Sequence, residues 1–148
     1  MWHRVAGALR GGRVLELYTD GSAEERVGKP GGWAFLVVCG EEVLASKSGA
    51  SASTTSLVME LEAALEGLRE IVARGWHTGA SVELISDSSI ALDIAAGRFL
   101  PKRQVSLALA LRAAAVEARA TTRWVRAHSG HPWNEAVDSL ADQAKRGS

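Results

Sequence analysis

The chain of 148 residues contains a single cysteine, Cys39. An internal disulfide is therefore excluded, and no second thiol stands near it to form a metal-binding pair. Its place in an apolar run predicts a buried structural thiol. Also missing is any apolar run near the roughly 18 residues of a membrane-crossing helix. The opening "MWHRVAGALRGG" has basic residues but no sustained apolar segment, so no secretory signal is expected there. Net charge is absent too, since 17 Lys and Arg balance 17 Asp and Glu. Domains that grip nucleic acid by bulk charge are usually basic, which disfavours that mode. It leaves open a local basic surface assisted by metal ions. No internal repeat, linker or low-complexity stretch is present. The expected setting is reducing and cytoplasmic, with no membrane partner.

Apolar residues make up 47% of the chain, enough for one domain around one core. Residues 1–12 read as a loose leader and 13–148 as a single domain. A strand is predicted from Val14, followed by a Gly-rich loop through "EERVGKPGG". "WAFLVVCG" and "VLASKSGA" read as two more strands joined through "GEE". "SASTT" is a cluster of capping residues ahead of the helix "SLVMELEAALEGLREIVARG". On that helix Leu57, Leu61, Ala64, Leu65, Leu68 and Val72 form one stripe, and Glu62, Glu66 and Glu70 point towards solvent. Glu60 falls at the edge of the stripe, beside Ala64 and Ile71.

"SVELISD" reads as a fourth strand, and "SSIALDIAAG" as a short helix closed by Gly97. After the loop "RFLPKRQ" come the helix "VSLALALRAAAVEARA" and a fifth strand, "TTRWVRAH". "HPWNEAVDSLADQAKRG" is a last helix, with Pro132 suited to its first turn and Val137, Leu140, Ala141 and Ala144 as its buried stripe. Trp33 and Trp124, both in strands, are expected in the core, and Trp133 is expected to pack. The order of elements predicts an α/β fold with a mixed sheet and helices on its faces.

Asp20 and Asp87 each close a strand, where ligands bind in open α/β sheets. Glu60 and Asp138 sit at the rims of helix faces that pack on the sheet. Each acid alone has an ordinary explanation: a turn for Asp20, a helix cap for Asp87, solvent for Glu60 and Asp138. Together they make one converging carboxylate cluster, which must take up protons or bind cations. An all-oxygen donor set favours Mg²⁺ or Mn²⁺ over zinc. A zinc site on His128 and His131 is disfavoured, because no cysteine lies near them.

The segments "YTDGSA", "GGWA", "TTSLVMELEAALEGL", "SDSS" and "HSGHPWNEAVDSLAD" occur in order, at spacings that resemble ribonuclease H type 1 from about Leu17 to Lys145. The resemblance implies a ribonuclease H-like fold with a five-stranded sheet, three antiparallel strands followed by parallel ones. It implies an endonuclease that cleaves the RNA strand of RNA–DNA hybrids by two-metal hydrolysis, leaving 5′-phosphate and 3′-hydroxyl ends. Catalytic and metal-holding acids would be Asp20, Glu60, Asp87 and Asp138, with His128 assisting from a loop. Asp20 would bridge two Mg²⁺ ions, Mn²⁺ substituting. Glu60 and Asp87 would help hold the first ion, with Glu60 also near the RNA 2′-hydroxyl, and Asp138 would hold the second. Substrate contacts would fall to Gly21, Ser22, Thr55, Ser56, Ser89 and Asn134, and the expected state is a monomer.

The chain departs from many relatives at three places. Ser56 and Leu57 stand where Asn-Asn is common, Ser89 stands where Gln is common, and "GRFLPKRQ" replaces a longer basic protrusion. Arg98, Lys102 and Arg103 are left either to meet the DNA strand or to sit in a solvated loop. Modest affinity with a shallow salt dependence is expected. Two other readings are a hybrid-binding module without activity and a different nuclease or transposase of the same fold. The complete set of acids opposes the first, and "HSGHPWNE" opposes the second.

Overall fold

The computed structural model describes residues 13–147 apart from 25 and 27; the predicted leader, 1–12, lies outside the described residues. Strands β1 (Val14–Ala23), β2 (Lys29–Cys39) and β3 (Glu42–Thr54) form an antiparallel meander. Strands β4 (Ser81–Ser86) and β5 (Ala120–Trp124) add in parallel, giving the order β3-β2-β1-β4-β5. The helices among the described residues are α1 (Ser56–Ala73), α2 (Ser89–Ala95), α3 (Val105–Ala118) and α4 (Pro132–Arg146), with a 3₁₀ turn at Trp76–Thr78. No helix among the described residues is long and apolar enough to cross a membrane.

Alternation along β1 divides the core. Leu15 and Leu17 point to one face of the sheet, where they join Phe35, Val37 and Leu84 beneath α1, with α3 packed on α1. Tyr18 points to the other face, with Leu36, Val38, Ile85, Val137 and Ala141 beneath α4. Cys39 is a buried free thiol, as its apolar setting predicts.

α1 buries more than its predicted stripe. Met59, Ala63 and Gly67 are buried beside Leu61, Ala64, Leu65 and Leu68, while Leu57 and Val72 are only half-buried. The cause is that α1 lies between the sheet and α3, so a single apolar stripe is too narrow for its surroundings. α4 shows the reverse: Val137 and Ala141 are buried, whereas Leu140 and Ala144 are half-buried.

Three local expectations are corrected. Residues 29–32 are strand rather than loop. A Cβ on Gly32 would stand 2.3 Å from the Ala141 carbonyl oxygen, and one on Gly31 would stand 2.4 Å from Thr54 Cγ2. These glycines allow close approach of neighbouring elements, not a turn. β3 continues through most of "SASTT" to Thr54, leaving Thr55 as the cap of α1, its Oγ1 accepting the Val58 N–H at 3.3 Å. Trp124 is 53% exposed rather than part of the core, because β5 is an edge strand and its last residue faces outward. Trp33 is half-buried, stacked on Phe35 with a 6.3 Å centroid separation.

Candidate active site

Two adjacent parallel strands bring the first two acids together. The paired register of β1 and β4 ends at Tyr18 and Ile85. Asp20 and Asp87 each follow that last pair by two residues, so the period of two puts them side by side on the α4 face. Asp20 is 4% exposed, in strand pairing with Ala34, and so is not a solvated turn residue. Asp87 is not the cap of α2 either. Ser88 fills that role, its Oγ accepting the Ala91 N–H at 3.2 Å, so the Asp87 carboxylate is not spent on the cap.

Glu60 arrives from the opposite face in the first turns of α1 and is 8% exposed. The Gly21 N–H donates to Glu60 Oε1 and, at 3.0 Å, to Asp20 Oδ1. Carboxylate oxygens of Asp20, Glu60 and Asp87 all lie within 4.8 Å of one another. Asp138 comes from α4, within hydrogen-bonding reach of Asp20, and its charge is felt at Asp87. It stands outside the tight group of three. His128 lies on the exposed loop before α4, with a left-handed backbone (φ 53°), and its positive form favours ionised Asp87.

Electrostatics show what so many acids in one place cost. Burial first, then the hydrogen bond with Asp138 and the charges of Glu60 and Asp87, push Asp20 far above the ordinary carboxylate range. Burial likewise raises Glu60, against the lowering effect of its hydrogen bonds with Asp20, the Gly21 N–H and Ser88. Asp87 is raised by burial and by Asp138. Without cations the pocket retains protons that isolated carboxyls would lose. Its donor set, oxygen throughout and anionic when deprotonated, suits a hard divalent cation.

The expected substrate contacts divide. Ser22, Ser56 and Ser89 are exposed or half-buried near the site. Thr55 lines an open groove of about 560 Å³ with Trp33, Ser53, Val58 and Gln104. The Gly21 N–H, expected at a substrate strand, donates to the two acids. Asn134, expected as a substrate contact, is 3% exposed inside the first turn of α4. His131 occupies the cap position of α4 with its ring 5.2 Å from that of Tyr18, as a loop or cap residue would. Sequence reasoning missed the structural part played by Gly21. The available signal was a glycine, with no side chain to pack, directly after a strand-ending acid.

The RNase H family profile matches residues 12–146. The chain belongs to the RNase H family. It is 33% identical over 143 residues to a ribonuclease H from Hahella chejuensis, covering 88% of this chain and 92% of the relative. A ribonuclease H from Anaeromyxobacter is 36% identical over 151 residues, covering 88% and 79%. Among solved structures, the N-terminal RNase H domain of a Mycobacterium tuberculosis protein superposes with TM-score 0.76 at 23% identity, covering 91% of this chain and 95% of that one. LC11-RNase H1, isolated from compost and solved in complex with an RNA/DNA hybrid, gives TM-score 0.72 at 20% identity, covering 90% and 97%. These two likenesses show the RNase H fold. Family membership makes the chain a nuclease acting on RNA–DNA hybrids.

Proposed function

We propose that this RNase H is an endonuclease hydrolysing the RNA strand of hybrids at the pocket formed by Asp20, Glu60, Asp87 and Asp138. Two divalent ions would be held there to assist, and the cut would leave 5′-phosphate and 3′-hydroxyl ends. The observation that carries this reading is the meeting of three carboxylates from β1, α1 and the end of β4 within 4.8 Å. Asp20, which interacts with the other three acids, would help hold both ions, Glu60 and Asp87 would help hold one, and Asp138 would help hold the other. When bound, such ions supply an activated water and positive charge for the leaving oxygen. Mg²⁺ suits the oxygen donors, and Mn²⁺ can stand in.

The residues themselves do the rest. The Gly21 N–H and the Ser88 hydroxyl orient Glu60, keeping its carboxylate turned into the pocket. His128, exposed beside Asp87, is placed to exchange a proton with solvent as product leaves. Ser22, Ser56, Ser89 and the groove at Thr55 offer hydroxyls to a sugar-phosphate backbone. The substrate class follows from the relatives, one of which holds an RNA/DNA hybrid. A hybrid presents 2′-hydroxyls on one strand only, the feature that separates it from duplex DNA. We further assign residues 13–148 to one catalytic domain, acting as a monomer in the cytoplasm.

The test uses labelled RNA–DNA hybrid, duplex RNA and duplex DNA, each with and without Mg²⁺. Cutting of the hybrid alone, dependent on metal and leaving RNA products with 5′-phosphates, is expected. Hybrid binding without cutting at any Mg²⁺ or Mn²⁺ concentration overturns the proposal in favour of a binding module.

A further inference from the structure

The last backbone bond joining β5 to β4 runs from the Val125 N–H to the Ser86 carbonyl, at 3.0 Å. Asp87 lies one residue beyond it. There a side chain takes over, since the indole N–H of Trp124 donates to the Asp87 carbonyl oxygen at 3.0 Å. On the far side, the Ser88 N–H donates to Ser86 Oγ at 3.0 Å, and the Ser88 hydroxyl caps α2. The backbone carrying the Asp87 carboxylate is thus held from both directions. Trp124 is 53% exposed, so burial does not account for so large a side chain at this position. Its polar handle does.

We infer that Trp124 is a positioning residue, whose indole N–H acts as an extra rung of the sheet and fixes the Asp87 carboxylate for metal binding. The inference rests on the proposed metal role of the acid pocket. The role assigned to Trp124 runs through the Asp87 backbone, to whose carbonyl its indole donates. Its loss should resemble the loss of an outer partner of a metal ligand, which weakens metal affinity by roughly tenfold or more. Acting through a carbonyl, Trp124 should sit at the lower end, roughly tenfold.

The experiment is calorimetric titration of Mn²⁺ into the full chain, its Trp124→Phe variant, Asp87→Asn, and the double variant. Trp124→Phe keeps an aromatic ring and removes the donor; Trp124→Leu provides a second donor-free side chain if the first packs abnormally. The wild type should bind Mn²⁺, and Trp124→Phe should bind it roughly tenfold more weakly with its circular dichroism unchanged. In the Asp87→Asn background the same replacement should have little further effect, because the two residues act on one ligand. In cleavage assays kcat should fall at limiting metal and recover at high metal, with KM for hybrid held within about twofold. Equal Mn²⁺ affinity in wild type and Trp124→Phe overturns this inference alone. So does an undiminished effect in the Asp87→Asn background. A wild type that fails to bind Mn²⁺ overturns instead the metal role on which the inference depends.

Discussion

Gly21 and Glu60 touch directly: the glycine N–H donates to the glutamate carboxylate, and a Cβ on Gly21 would stand 2.4 Å from the Glu60 nitrogen and 2.5 Å from the Met59 carbonyl carbon. α1 therefore presses on β1 at the residue following Asp20. The contact explains how a helix acid and a strand acid from opposite faces of a sheet share one pocket.

Gly21→Ala should push α1 away from β1 and turn Glu60 out of the site. Overpacking of this kind costs about 1–3 kcal/mol of stability. Hybrid cleavage should fall by roughly a hundredfold, since small displacements of catalytic groups carry costs of that order. Denaturant unfolding and single-turnover cleavage measure the two effects. Near-normal activity in Gly21→Ala would show that the contact does not position Glu60.

Gly32 plays the matching part for Asp138. An added Cβ there would meet the Ala141 carbonyl oxygen at 2.3 Å and the Lys145 nitrogen at 2.5 Å. Asp138 lies one turn before Ala141, so α4 cannot retreat without carrying the acid with it. Gly32→Ala should lower stability by about 1–3 kcal/mol and weaken cleavage, which urea titration and cleavage rates at saturating Mg²⁺ would report.

Much of this was legible from residue order. Strand-end placement picked out Asp20 and Asp87, and helical angle picked out Glu60 and Asp138. The family motifs agreed on all four. Less legible was anything decided by contact between distant segments. Gly31 and Gly32 look like loop residues because glycine favours turns. Only the packing of α4, Thr54 and Met59 against them shows why a side chain is excluded. Trp124 looked like core because strand tryptophans are usually buried. That β5 ends the sheet, with the indole turned to the Asp87 carbonyl, is a matter of topology. Asn134 has the spacing of a site residue, and its inward direction depends on how α4 meets the sheet.

Protons and metal should compete for the pocket, and stability should report it. Burial raises Glu60 from 4.5 in the unfolded chain to about 7 in the fold, with Asp20 raised further in the same direction. The folded state then keeps protons that the unfolded state releases. The stabilisation from Glu60 is full below pH 4.5 and is lost as pH rises through about 7, while that from Asp20 goes on declining above pH 7. Metal-free protein should show a urea midpoint that falls across this window. Millimolar Mg²⁺ or Mn²⁺ should restore it at the alkaline end, where deprotonated carboxylates bind cations best. In Asp20→Asn, which relieves repulsion, the decline should be flatter. A metal-free midpoint that rises from pH 4.5 to 7 would contradict the raised carboxyl values.

The most direct test of the acid pocket compares wild type with Asp20→Asn, Glu60→Gln, Asp87→Asn and Asp138→Asn on one labelled RNA–DNA hybrid in Mg²⁺, with thermal unfolding of each metal-free protein alongside. The account predicts that wild type cuts the RNA strand and that Asp20→Asn abolishes cutting. The other three should lose at least about a hundredfold, corresponding to roughly 2.7 kcal/mol. No metal-free melting temperature should drop, and that of Asp20→Asn should rise. Asp20→Asn retaining most of the wild-type rate, or melting well below wild type without metal, would contradict it.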